Sequence, residues 1–162
     1  MSIFNSKLLL PLLLLLVSNL NAKDYELIFT MTGSYTKNEL SFLDKSKISH
    51  NTYDSEWTDN YGNYGTSQCL TSIKYNTTEV IKGLESYCRF NDQKNYIFIQ
   101  HNTRKGNELN AGVGKAKFIE GQSKWKFLKG TECLYSIRYL RDRTFSIRKC
   151  KITEAIHGYL SK

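Results

Sequence analysis

The chain has 162 residues, a formal net charge of +8 and a single proline. That length supports one ordinary hydrophobic core rather than two. The basic residues are spread out, densest over residues 138–151, and accompany no nucleic-acid-binding motif, so no nucleic-acid partner is expected.

Residues 1–22 read as a signal peptide. One lysine, Lys7, precedes the apolar run LLLPLLLLLV, and small Ala22 suits cleavage before Lys23. The run is too short to span a bilayer. The expected mature protein is a single domain, 23–162, with no transmembrane segment, exported to a periplasm or secreted.

From there the chain reads as strands. YELIFTMT at 25–32 puts Tyr25, Leu27, Phe29 and Met31 on one face. A more polar strand is expected at 47–57, followed by a glycine-rich turn at 59–65. Strands at 67–75 and 80–90 form a hairpin, and 96–102 follows. A turn at 104–107 leads into 109–119. KWKFL at 124–128 alternates and is expected to be a strand. The series closes with 133–140 and 143–152, and 153–160 makes a helical tail. About eight short strands with no long amphipathic helix predict an all-β, closed antiparallel barrel, whose interior can hold side chains or one small ligand.

The cysteines sharpen this picture. Four in an exported chain imply two disulfides, and three connectivities are open. A two-residue turn at Arg141 and Asp142 sets Cys133 opposite Cys150 on a non-hydrogen-bonded site, where side chains approach most closely. A four-residue loop with the same centre would move the pair to the other kind of site. For Cys69 and Cys88 the same reasoning centres a four-residue loop, 77–80, between Thr78 and Glu79. The expected pairs are Cys69–Cys88 and Cys133–Cys150. No Cys-x-x-Cys or His-x-x-x-His spacing points to a metal, and no serine elbow or phosphate loop points to catalysis, so neither cofactor nor catalytic residue is assigned.

The candidate ligand site combines Trp57, Tyr61 and Tyr64, interleaved with Gly62 and Gly65, with Arg138. Amphipathic rings beside flexible glycine can line a barrel mouth, and a guanidinium can hold a carboxylate. Arg138 would need an acid or a ligand anion if it faced inward, and would be ordinary if it faced outward.

Gly112, Gly114, Gly121, Lys124, Trp125, Leu128 and Gly130 form a glycine–aromatic pattern. Together with Trp57, Asp59, Gly62, Gly65 and Cys69 upstream and Cys133, Tyr135 and Cys150 downstream, it resembles small exported bacterial barrels related to the allene oxide cyclase and dirigent-like barrels. The resemblance spans 57–152 and implies a closed antiparallel barrel without assigning a reaction. Gly33-Ser34-Tyr35 is a fainter echo of the lipocalin Gly-x-Trp. The expected function is non-enzymatic binding of a small apolar or acidic ligand, or of an envelope component. The alternatives are a cyclase- or isomerase-like barrel acting on a hydrophobic small molecule, and a structural or partner-binding barrel with a filled core.

Overall fold

A computed structural model describes residues 25–104 and 111–162. The expected signal peptide lies outside the described residues, as do most of the turn expected after Arg104 and the first two residues of the strand expected at 109–119. Eight strands run in chain order: β1 (Tyr25–Ser41), β2 (Lys47–Asp59), β3 (Tyr64–Tyr75), β4 (Ile81–Asp92), β5 (Ile97–Arg104), β6 (Ala111–Gly121), β7 (Glu132–Leu140) and β8 (Arg143–Ile152). Each pairs antiparallel with the next, and β1 pairs with β8, so the sheet closes as an up-and-down barrel. A helix, α1 (Glu154–Leu160), follows, and the Thr153 hydroxyl accepts from the Ile156 backbone N–H. No helix among the described residues is long and apolar enough to cross a membrane.

Side-chain alternation decides what the barrel contains. Leu27, Phe29, Trp57, Phe90, Phe98 and Phe118 point inward at one end and form a packed aromatic core. The Phe90 and Phe98 rings stack 4.5 Å apart, and Trp57 meets Phe29, Phe98 and Trp125 edge-on. Edge-to-face and offset pairs add about 0.5–1.5 kcal/mol each beyond burial.

This end is also capped. The expected strand at 124–128 is instead a 3₁₀ helix, Ser123–Leu128, lying across the opening. Trp125 and Leu128 are buried three residues apart, a spacing that a 3₁₀ turn places on one face, while Phe127 stacks on Tyr159 of α1 outside. Five alternating residues fit a strand equally well. The deciding contact is tertiary: the Trp125 indole donates to the buried Asp92 carboxylate at 2.8 Å.

Both disulfides form as the register predicts. Cys69 faces Cys88 and Cys133 faces Cys150, with Cα separations of 4.0 and 4.1 Å that belong to non-hydrogen-bonded sites. The β7–β8 turn has the two expected residues, with Arg141 at φ 56°. The β3–β4 loop differs: it has five residues, 76–80, and a register shift between Lys74 and Tyr75 absorbs the extra one. Asn76 organises that loop by accepting from the Thr78 and Val80 backbone N–H groups.

Loops of this size predict that each bridge stabilises the fold by about 3 kcal/mol. Replacing Cys133 and Cys150 together by alanine should lower the unfolding free energy by about that amount in denaturant titrations under non-reducing conditions. An unchanged midpoint would show that the bridge does not restrict the unfolded chain.

Candidate functional site

The half of the barrel opposite the aromatic core is not filled by its own side chains. Its mouth is bounded by the β1–β2, β3–β4 and β7–β8 turns. Inside it lies a cavity of about 50 Å³, whose wall includes Met31, Thr71, Asn102, Tyr135, Ile137 and Arg148. A vestibule of about 210 Å³ lies toward the mouth, walled by Tyr35, Lys37, Ile73, Tyr75 and Ile81 among others. Tyr53, Arg104 and Tyr139 belong to both walls. On this measure a single water needs about 10–15 Å³, so the inner cavity has room for a small polar head and the vestibule for a larger body.

Two guanidinium groups stand in the wall. Arg148 on β8 is 5 % exposed, and its planar guanidinium lies over the rings of Phe90 at 5.2 Å and Tyr135 at 5.8 Å. Its Nη1 donates to Gln100 Oε1 and, at 3.2 Å, to Asn102 Oδ1. Its Nη2 lies 4.0 Å from Cys88 Sγ, and its Nε has no hydrogen-bond partner among the described residues. Arg104 at the end of β5 is equally buried. No aspartate or glutamate occurs among the described residues lining the cavity or the vestibule. Burial alone pushes the Arg148 guanidinium down to about 10, the direction expected for a cation taken out of water without a counter-charge.

A chain of neutral hydrogen-bonding groups leads into the wall. Ser49 donates to Asn51, Asn51 donates to the Tyr53 hydroxyl at 3.1 Å, and that hydroxyl lies 3.3 Å from the Tyr139 hydroxyl. Either phenol can be the donor in that pair, because the Tyr53 oxygen can accept from Asn51 and from a second group. Burial raises the pKa of Tyr139 strongly, that of Tyr75 to about 12, and that of Tyr135 upward. These phenols remain neutral donors near pH 7.

Glycines on β6 make room for this arrangement. A Cβ on Gly112 would fall 1.9 Å from Arg104 Nη1, and one on Gly114 would fall 2.5 Å from Tyr135 Cζ. The glycine pattern visible in the sequence thus admits two side chains of the cavity wall.

Of the residues expected to form the ligand site, Trp57, Tyr61 and Tyr64 share the capped end of the barrel and Arg138 lies apart from them. Trp57 is buried in the aromatic core, with its indole donating to the Thr66 carbonyl at 3.1 Å. Tyr61 lies at the capped end, its hydroxyl 2.8 Å from His157 Nδ1, and Tyr64 is exposed at the same end. Gly62 and Gly65 do not open a loop there. The turn is tight, and the Asp59 carboxylate accepts from the backbone N–H groups of Tyr61 and Asn63. Arg138 is exposed on the outer face of β7, opposite Phe145.

No protein-family model matches the chain. Comparison with curated proteins likewise finds no match.

Two predictions follow from this packing. Gly114→Ala should cost about 1–3 kcal/mol through overpacking against Tyr135. Gly83→Ala, where an added Cβ meets nothing within 4 Å, should stay within about 0.5 kcal/mol; equal effects in denaturant titrations would contradict the close approach. The second concerns alkaline pH. Unfolded tyrosines ionise near pH ~10, whereas Tyr75 holds its proton to about 12 and Tyr135 and Tyr139 are also raised. The folded protein therefore keeps protons that the unfolded chain releases, and this stability is lost as pH rises above about 10. Arg148, depressed to about 10, acts in the opposite sense, but as one group against three. Denaturant midpoints should fall over that range, and less steeply in Tyr139→Phe.

Proposed function

We propose that the protein is an exported, non-enzymatic barrel that holds a small acidic ligand in its interior. Two disulfides suit an oxidising, extracytoplasmic compartment, periplasmic or extracellular. The observation that carries the reading is Arg148. It is a buried cation, with neutral amides on one nitrogen, an unengaged Nε and no carboxylate in the surrounding described wall. A buried charge is costly unless it is paired, so this site is suited to an anion supplied from outside. The wall offers cations and neutral phenols, an arrangement that favours holding an acid over abstracting a proton from a substrate.

The test is calorimetric melting at fixed ionic strength, exchanging a bulky sulfonate buffer anion for formate or acetate. The expected result is a rise in melting temperature with anion concentration, as ligand linkage requires. Arg148→Gln, which keeps an amide donor toward Gln100 and Asn102, should abolish the rise. A melting temperature indifferent to the anion in the unmodified protein would overturn the reading.

A further inference from the structure

We infer that the ligand is a compact monocarboxylic acid carrying a planar, preferably aromatic, body. This inference rests on the proposed acid-binding role and specifies the chemistry of the same site. The head is defined by Arg148. Its Nη1 is taken by Gln100 and Asn102; what is left is Nε, buried and unengaged among the described residues, and Nη2, 4.0 Å from a sulfur, so a head group engages the Nε–Nη2 edge by displacing the side chains packed around Nε. Two parallel N–H groups on one guanidinium edge match the two oxygens of a carboxylate. The inner cavity, at about 50 Å³, admits such a head and little more.

The body is defined by the vestibule. Its wall carries Tyr35, Tyr53, Tyr75 and Tyr139 together with Ile73 and Ile81. The Tyr35 and Tyr53 rings lie nearly parallel with centroids 5.5 Å apart, and Tyr139 stands edge-on to Tyr35. Such a wall presents ring faces, ring edges and hydroxyls to a flat partner. An inorganic oxyanion would satisfy Arg148 but leave these apolar surfaces without a partner. A long acyl chain would exceed the vestibule, whose volume of about 210 Å³ lies below the range of drug-sized ligand pockets. Lys37 stands in the same wall at the mouth, with its ammonium 5.9 Å from the Tyr75 ring centroid. Its ammonium is ion-paired with Glu39, which also pairs with Lys47, and Lys47 pairs with Glu79, so the charges at the mouth are balanced.

The experiment is isothermal titration of the full mature protein with acetate, benzoate, hexadecanoate below its micellar concentration, and sulfate. Benzoate should bind roughly tenfold or more tightly than acetate, a ratio equivalent to about 1.4 kcal/mol, and more tightly than sulfate or hexadecanoate. Arg148→Gln should weaken benzoate by at least roughly tenfold, as expected for lost charge-assisted bonds. Lys37→Glu leaves Arg148 and the inner cavity untouched, turns the balanced mouth net negative, and serves if Arg148→Gln does not fold. It should weaken benzoate several-fold at low salt, with the difference shrinking as salt is added. If acetate and benzoate bind equally, or sulfate binds best, the acid site stands and the aromatic class falls. If hexadecanoate binds best, the ligand is a lipid acid and the compact class falls. If no anion binds, this inference and the proposed function fall together.

Discussion

The structure depends on a size constraint. Eight strands enclose an interior just wide enough to be filled by inward side chains, so every inward position is either packing or site. This chain divides the two along the barrel axis. At the capped end, aromatic rings and the Trp125–Asp92 hydrogen bond close the interior. Toward the mouth, the same alternation places serine, threonine, asparagine, glutamine, tyrosine and two arginines inside. The packed half keeps the walls rigid, and the rigid walls allow the other half to hold polar groups at fixed positions.

The two halves meet at Arg148. Its guanidinium lies against Phe90, which belongs to the aromatic core, and against Tyr135, which lines the cavity. One face of the cation is therefore sheltered by hydrocarbon while its edges reach toward polar groups. A lysine could not reproduce this, because it lacks the flat faces and the fork of donors. Both disulfides lie inside the barrel at this level or just beyond it, and Cys69 lines the cavity. All four cysteines belong to the buried core cluster, where they tie neighbouring strands together.

Much of the barrel was legible in the sequence, because strand alternation and cysteine register are local patterns. The pairings needed only turn lengths, and even the mistaken loop length of β3–β4 left Cys69 opposite Cys88, since the register shift falls beyond them at Lys74 and Tyr75. The 3₁₀ helix was not legible, because its cause is the distant Asp92. Which residues face the cavity was legible in part. Once Cys133 and Cys150 are paired as inward-facing neighbours on adjacent strands, period-two alternation places Tyr135, Ile137 and Tyr139 inward with Cys133, and Arg138 outward. By the same parity Arg148 shares the inward face of Cys150. Choosing between the two arginines thus required only their distance in residues from a cysteine. Arg104 and the tyrosine vestibule are different, since they depend on which strands the closed barrel brings together.

On the proposed reading, binding and folding are coupled at this cavity. Without an anion, the folded protein bears the desolvation cost of Arg148, only partly offset by Gln100 and Asn102. The unfolded chain has no such cost, because its guanidinium is in water. An acid that reaches the Nε–Nη2 edge supplies the missing counter-charge to the folded state alone, and so adds RT ln(1 + [L]/Kd) to stability. Filling the cavity with apolar side chains would remove the cost, but it would also remove the capacity to respond to a ligand. The aromatic core and the two cross-strand bridges are what let the fold carry an unneutralised cation in the meantime: they lie beside the cavity and do not depend on its occupancy. The marginal element is then the cavity wall rather than the barrel, and the proposed ligand would act where the structure has stability left to gain.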